Sequence, residues 1–416
     1  MNAAPASKAG TILLIANNFP PTRGGSVVVY ANLARHLGSR VIVMAPKSSY
    51  ADGLPLIGWR EHDRRAPYRM LRLPLLRTRI AAAATSSLVG RLRFLGYDVL
   101  IRLRVATAIL RLVAFKQVRT ICIGELLASG WIIALCRRIP GVRTVAYVHG
   151  EEITTEDGYD HGHLRARTAL LESDGIIVVS RFTRHAVALL LGDAVSDDKI
   201  KLIENGVDAE RFHNVGRRPD LMALYGLQGS KVFVSVCRLL EKKGIDNAIR
   251  AFAELSQEGV ATRYLIVGTG PYEDKLREIA HAHGVADRVV FAGDVTDKDL
   301  VAHYSLGDVF VMPNRELANG DTEGFGLVFL EANSCGLPVI AGRDGGSQDA
   351  VQHDVNGLVV DGTQVAAIAD AMRAILTDDA LYARLRDGAA TISQAADWQR
   401  KTATFVDICE GLFTPG

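Results

Sequence analysis

Two carboxylates, Glu323 and Glu331, flank a glycine-containing turn in the run Asp321-Thr322-Glu323-Gly324-Phe325-Gly326-Leu327-Val328-Phe329-Leu330-Glu331-Ala332. Their eight-residue separation amounts to about 12 Å of rise even in an unbroken helix, too far for joint acid and base work on one bond. They must serve two places. If a helix begins near Leu327, Glu323 lies in the loop before it and Glu331 in its first turns. Carboxylates are pure acceptors that match vicinal hydroxyls. The N–H groups of Gly324, Phe325, Gly326, Leu327 and Val328, free at a helix start, suit an anion between them. An extended sugar nucleotide has that layout: hydroxyls at both ends and a diphosphate in the middle. The competing reading is that these acids are ordinary helix caps.

A second group is cationic. Arg238-Leu239-Leu240-Glu241-Lys242-Lys243-Gly244 leaves a strand read at 232–237 and enters a helix from Ile245. Arg238 presents a planar fork and Lys243 a point charge, and both suit a diphosphate leaving group without recourse to metal. As loop cations they would simply be solvated. Near the N-terminus, Gly24-Gly25 stands between the first strand and a helical run, where backbone can approach a ligand closely and a helix start can meet phosphate. Val267-Gly268-Thr269-Gly270 lacks the third glycine of a dinucleotide fingerprint and reads as a strand-to-helix turn near a ligand, not an NAD site. Asp297-Lys298-Asp299 has the spacing of a metal-binding pair, but its setting is that of a helix cap. His161 and His163 lack further spaced ligands and belong to an acidic loop, so no metal is expected.

These groups need strand ends to hold them. Strand-like apolar runs alternate with helical ones, which indicates α/β architecture with parallel sheets. The first series falls at 11–16, 41–45, 120–123, 144–149, 175–179 and 200–203. It restarts at 232–237, 263–267, 289–292, 309–312, 338–341 and 357–360. A chain of 416 residues exceeds one ordinary core, so two domains are expected: 1–214, completed by a C-terminal helix at 396–416 anchored by Trp398 and Phe405, and 215–395. The linker is read at 212–219.

A content of 48% hydrophobic and 23% charged residues excludes a largely disordered chain. Five scattered cysteines suggest reduced thiols in a cytoplasmic protein. Neither a signal-peptide core nor a membrane-spanning apolar run is evident. The net charge of +2 hides an asymmetry: fourteen Lys or Arg against three acids lie between Arg60 and Arg119. There, Arg69-Met70-Leu71-Arg72-Leu73 and Arg91-Leu92-Arg93-Phe94-Leu95 interleave charge with apolar bulk, as helices on an anionic membrane do. The basic segment 64–119 is thus a candidate membrane contact at the inner face of the cell membrane, against the plainer reading of surface helices packed by leucines. No aromatic platform accompanies it, which argues against nucleic acid.

Together, Gly24-Gly25, His149-Gly150, Asn205-Gly206-Val207-Asp208, Arg238 with Lys243, the Glu323-to-Glu331 element and Gly345-Gly346 resemble the retaining glycosyltransferases of family 4. The resemblance runs in order from about Thr11 to Val360. It implies the GT-B fold, two Rossmann-like domains facing a central cleft, and sugar transfer from a UDP- or GDP-linked donor to a glycan or lipid-linked glycan, as in polysaccharide biosynthesis. It implies no cofactor beyond the donor substrate. By the same resemblance Gly25 approaches the donor phosphate or sugar, Arg238 and Lys243 bind the diphosphate, Glu323 the transferred sugar and Glu331 the ribose. His149 lies beside the reacting sugar, and the base stacks near Val295. Asn205 and Asp349 are weaker members of the set. Asp349 stands where the family often has Glu and is expected to cap the next helix or support its loop. Two alternatives stay open: a non-catalytic assembly subunit at a membrane surface, and a phosphorylase or epimerase of the same fold.

Overall fold

Short runs of Val, Ile and Leu, buried on both faces, form the strands of two parallel sheets. The computed structural model describes residues 10–78, 88–155 and 160–413. Within it the chain forms two compact units. The first comprises Met1–Val179, Thr183–Ile203 and Trp398–Gly416; the second comprises Ser180–Phe182 and Glu204–Asp397. The division at Ile203/Glu204 precedes the linker read from sequence, because Glu204 to Asn214, despite their turn signals, pack with the second unit.

In the first unit the strands are β1 (Thr11–Ile15), β2 (Val41–Pro46), β3 (Arg69–Leu73), β4 (Val118–Ile123), β5 (Arg143–Val148), β6 (Gly175–Val178) and β7 (Ile200–Leu202). They lie side by side as β3-β2-β1-β4-β5-β6-β7. All pairs are parallel, with Leu13 opposite Ile42 on one side of β1 and Ile121 on the other. In the second unit β8 (Lys231–Val236), β9 (Thr262–Val267), β10 (Val289–Gly293), β11 (Val309–Met312), β12 (Val339–Gly342) and β13 (Gly357–Val360) lie as β10-β9-β8-β11-β12-β13. The strand order reverses between β1 and β4 in one sheet and between β8 and β11 in the other. At such switch points the loops leaving adjacent strand ends diverge to opposite faces and open a crevice for ligands.

β3 corrects one expectation. Residues 69–73 are an edge strand, not a membrane-facing helix, in register with β2 from Ile42↔Arg69 to Pro46↔Leu73. Arg72 points inward, 8% exposed, pairing with Asp63 at 2.9 Å and donating to the carbonyls of Pro46 and Pro20. The arginine that interrupts the apolar pattern here is a buried polar tie. The other half of the basic segment is the helix Leu88–Lys116. Ile101, Val105 and Ile109, spaced four apart, are buried against the sheet, while Leu92, Leu95, Leu100 and Leu103 are each more than half exposed among arginines. Residues 79–87 of that segment lie outside the described residues, as does 156–159 of the loop before His161.

The last helix, Trp398–Gly411, packs on the helix Gly25–Leu37 of the first unit. Trp398 and Phe405 are each 1% exposed, and Arg40 pairs with Glu410 at 3.0 Å. All five cysteines are free thiols, four of them buried. Among the described residues no helix is long and apolar enough to cross a membrane.

Candidate active site

In the second unit, the loops after β8 and β11 meet through glycine. Gly244 has φ +72°, and a Cβ there would lie 1.9 Å from the Pro313 carbonyl oxygen. Only glycine lets the turn after β8 lie against the end of β11. That contact brings two consecutive lysines onto the Asp321–Glu323 stretch. Lys242 Nζ meets Asp321 Oδ1 at 2.7 Å and the Thr322 carbonyl at 3.1 Å. Lys243 Nζ donates to Glu323 Oε2, with both side chains 15% exposed. Burial alone would raise the Glu323 carboxyl, but the adjacent Lys243 ammonium outweighs it and holds the group below the usual carboxylate range. Arg238, two residues beyond β8, is exposed.

Gly268 and Gly270 pack against backbone. A Cβ on Gly268 would stand 2.0 Å from the Cys237 carbonyl oxygen, and one on Gly270 2.3 Å from that of Leu239. What approaches these glycines is the backbone on either side of Arg238, so they brace the cationic loop. Gly345 and Gly346 do the same for the acid. Their added Cβ atoms would fall 2.2 Å and 2.0 Å from the carbonyl oxygens of Glu323 and Gly324, and Gly346 N–H donates to Glu323 O at 2.8 Å.

The helix Leu327–Ser334 follows Gly326, which has φ +85° and no side chain to cap the helix. The N–H groups of its first residues, half-buried Leu327 and Val328, are the ones a helix leaves without internal partners. Phe325 is buried beneath them. Glu331 is 8% exposed and accepts a hydrogen bond from Tyr304 Oη at 2.8 Å. Burial raises its carboxyl above the ordinary value, with the Tyr304 bond opposing. Asn205 is buried with its Oδ1 unpartnered, and half-buried Val295 sits just beyond β10. Asp349 does not cap the helix Ser347–Ala350, in which it lies. Its carboxylate accepts from Arg181 N at 2.9 Å and from Arg181 Nε.

In the first unit, Gly24 and exposed Gly25 open the helix Gly25–Leu37, whose first turn carries no acid. One turn on, fully buried Tyr30 reaches the ends of β4 and β5. Its hydroxyl donates to the Gly124 carbonyl and stands 2.6 Å from His149 Nε2. The backbone N–H groups of His149 and Gly150 donate to Glu152 at 2.9 and 3.0 Å. Burial pushes the His149 imidazole down to about 4, with Glu151 opposing, so the ring is neutral near pH 7. Glu125 accepts from the backbone of Asn17 and Asn18 at 2.7 and 3.0 Å, yet burial still raises it to about 7.

A model described as Glycosyl transferases group 1 matches residues 221–391, and one described as Glycosyltransferase Family 4 matches 23–211. Over 411 residues the chain is 33% identical to the GDP-mannose-dependent alpha-(1-6)-phosphatidylinositol monomannoside mannosyltransferase of Mycobacterium tuberculosis, spanning 96% of this chain and 98% of the relative. The chain belongs to glycosyltransferase family 4. The Mycolicibacterium smegmatis protein of the same name is 33% identical over 414 residues, again covering 96% and 98% of the two chains. Among solved structures, Anabaena HepE in complex with UDP and glucose superposes with a TM-score of 0.73 at 20% identity, covering 96% of this chain and 98% of that one. Sucrose-phosphate synthase from Thermosynechococcus elongatus gives 0.74 at 22% identity, covering 97% and 99%. The fold is GT-B.

Within this glycosyltransferase the structure brings Lys243, Glu323, Gly324 and the second glycine pair into one cluster. Sequence reasoning missed Lys242, Tyr30, Glu125 and Glu152. Lys242 was masked by its neighbour, and its only signal is that an ammonium beside a glycine turn, facing Asp321 across the fold, can be buried when paired. Tyr30 reads as one more apolar position of a helix, and only its place one turn after Gly24-Gly25 marks it.

Proposed function

We propose that this glycosyltransferase moves a hexose from a nucleoside diphosphate donor to a hydroxyl of a glycan or lipid-linked glycan, with retention of anomeric configuration and without metal. The observation that carries the reading is the Lys243–Glu323 pair, clamped by Gly345-Gly346 just before the free N–H groups of Leu327 and Val328. An ammonium has three N–H donors, so Lys243 can hold Glu323 and a phosphate oxygen together. In this reading the diphosphate lies along Arg238, Lys243 and the helix start. Glu323 takes sugar hydroxyls, Glu331 the ribose and Val295 the base, and Gly25 and His149 are assigned to donor contact as well. The bond from the anomeric carbon to the phosphate oxygen breaks while the acceptor oxygen bonds to that carbon on the same face. The acceptor proton passes to the departing phosphate, and Arg238 and Lys243 stabilise its charge.

The mycobacterial relatives support GDP-mannose as the first donor to try and a phosphatidylinositol-linked glycan as the first acceptor. A lipid-linked acceptor also gives a use to the arginines and exposed leucines of the helix Leu88–Lys116, which we propose rest on an anionic bilayer from the cytoplasmic side. Thermal-shift titration with GDP-mannose, UDP-glucose, GDP and UDP, with and without chelator, tests the donor assignment, since a tight ligand raises apparent stability by mass action. NMR of the product reads the anomeric configuration. No shift with any donor, or transfer abolished by chelator, overturns the corresponding part. Cosedimentation with phosphatidylglycerol vesicles, weaker for Arg91→Glu/Arg93→Glu and absent with phosphatidylcholine, tests the membrane contact.

A further inference from the structure

Tyr30 connects the first glycine pair to His149, and its single proton decides what His149 offers a substrate. A carbonyl oxygen only accepts, so the Tyr30 hydroxyl must donate to Gly124 O. What remains toward His149 is a lone pair on Oη, and at 2.6 Å from Nε2 that lone pair requires a hydrogen on Nε2. The opposite assignment would leave two oxygens in hydrogen-bond contact with no proton between them. We infer that Tyr30 is a positioning residue that holds His149 with its ring hydrogen on Nε2, leaving Nδ1 as the acceptor for a hydroxyl of the bound sugar.

The surroundings hold this arrangement. Gly124 has to be glycine, because a Cβ there would stand 2.7 Å from the Tyr30 ring. The imidazole is flanked by two rings: Tyr30 edge-on at 5.2 Å between centroids, and Tyr147 stacked at 5.4 Å with 25° between planes. Its backbone is fixed by the bond from His149 N–H to Glu152. Among the described residues the ring makes no other hydrogen bond, so Nδ1 is available. An acceptor at that nitrogen discriminates by chemistry: it binds a sugar hydroxyl and rejects a deoxy analogue, since a buried acceptor would lose its partner. The substrate part of the inference rests on the proposed place of His149 beside the donor sugar, whereas the hydrogen on Nε2 rests on Tyr30 and Gly124 alone, and the bare Nδ1 adds to these the burial that keeps the ring neutral.

Long-range 1H–15N NMR on ligand-free protein labelled at histidine reads the tautomer directly. The expected result near pH 7 is a pyrrole-like Nε2 and a pyridine-like Nδ1 for His149, and movement of both toward an averaged pattern in Tyr30→Phe. The same variant should lose about tenfold in kcat/KM for donor sugar, as one hydrogen bond is worth, with unchanged affinity for GDP or UDP alone. His149→Asn, whose side-chain oxygen replaces Nδ1, should retain more transfer than His149→Gln, whose amide reaches toward Tyr30. This pair decides the matter if Tyr30→Phe does not fold. A hydrogen on Nδ1 in the native protein, an unaltered pattern in Tyr30→Phe, or Gln outperforming Asn overturns the inference. An Nε2–H signal in a protein that transfers no sugar supports the lock and removes the functional reading instead.

Discussion

Replacing Lys243 by Met removes the ammonium beside Glu323 while keeping much of the side chain's bulk. The pair is 15% exposed on each side, close to the regime in which breaking an ion pair leaves a desolvated charge at a cost of about 3 kcal/mol. In a unit of this size that is a fall in Tm of about 6–12 °C. The sign with pH follows from Glu323, whose carboxyl sits below its ordinary value in the native protein. Its contribution is therefore present above the unfolded value of about 4.3 and is lost as pH falls through the lower folded value. Without Lys243 burial dominates, the carboxyl rises, and ionised Glu323 becomes a penalty that acid relieves. The Tm gap between native protein and Lys243→Met should be widest near pH 7 and close below about pH 4. Lys243→Met/Glu323→Gln should recover most of the stability, because neither charge is left alone, yet transfer should stay depressed by about 100-fold or more in both variants, as for loss of a transition-state donor. Scanning calorimetry from pH 3.5 to 8 with initial-rate kinetics provides the measurement. A pH-independent gap, or a double variant no more stable than the single one, would refute the idea that the pair is held against desolvation.

Glu331 behaves in the opposite sense. Its carboxyl is raised by burial, so ionisation above the folded value costs stability, and Glu331→Gln should raise Tm at pH 7, lose that advantage below about pH 4, and weaken donor affinity in titration calorimetry. Gly244→Ala forces both a positive φ and a contact with Pro313 O, and should lower stability by more than about 2 kcal/mol in urea unfolding. Arg72→Ala should cost about 3 kcal/mol by leaving Asp63 and two carbonyls without their partner, while Arg91→Ala on the exposed helix face should change stability by less than about 0.5 kcal/mol; thermal melts of the two distinguish structural from surface arginines.

Most strands were legible because buried parallel strands leave runs rich in β-branched residues, and twelve of the thirteen strands among the described residues stand where a strand was read. β3 does not. As an edge strand it has one partner, and its register places Arg72 inward, so its pattern of alternating arginine and leucine imitates an amphipathic surface helix. The acids Glu323 and Glu331 were legible because a Gly-Phe-Gly turn ahead of an apolar helix fixes where each falls. What holds them was not. The partners of Gly244, Gly268, Gly345 and Gly346 are carbonyl oxygens tens of residues away, and glycine in sequence says that backbone is close to something without saying to what. Here the neighbour is more backbone, so these glycines set the spacing between loops, and only those loops carry the charged groups. Tyr30 was illegible for a related reason: its hydroxyl bonds depend on the ends of β4 and β5, which no local pattern brings to it.

The helix Trp398–Gly411 closes over Gly25–Leu37 although the entire second unit is made between them. On the ribosome, the earlier-synthesised half therefore waits with an uncovered apolar flank until the helix Trp398–Gly411 emerges, while the continuous segment Glu204–Asp397 has all of its own strands beforehand. Order of synthesis and order of completion are thus inverted. A released chain shortened at Asp397 would hold a finished second unit and an unsealed first one.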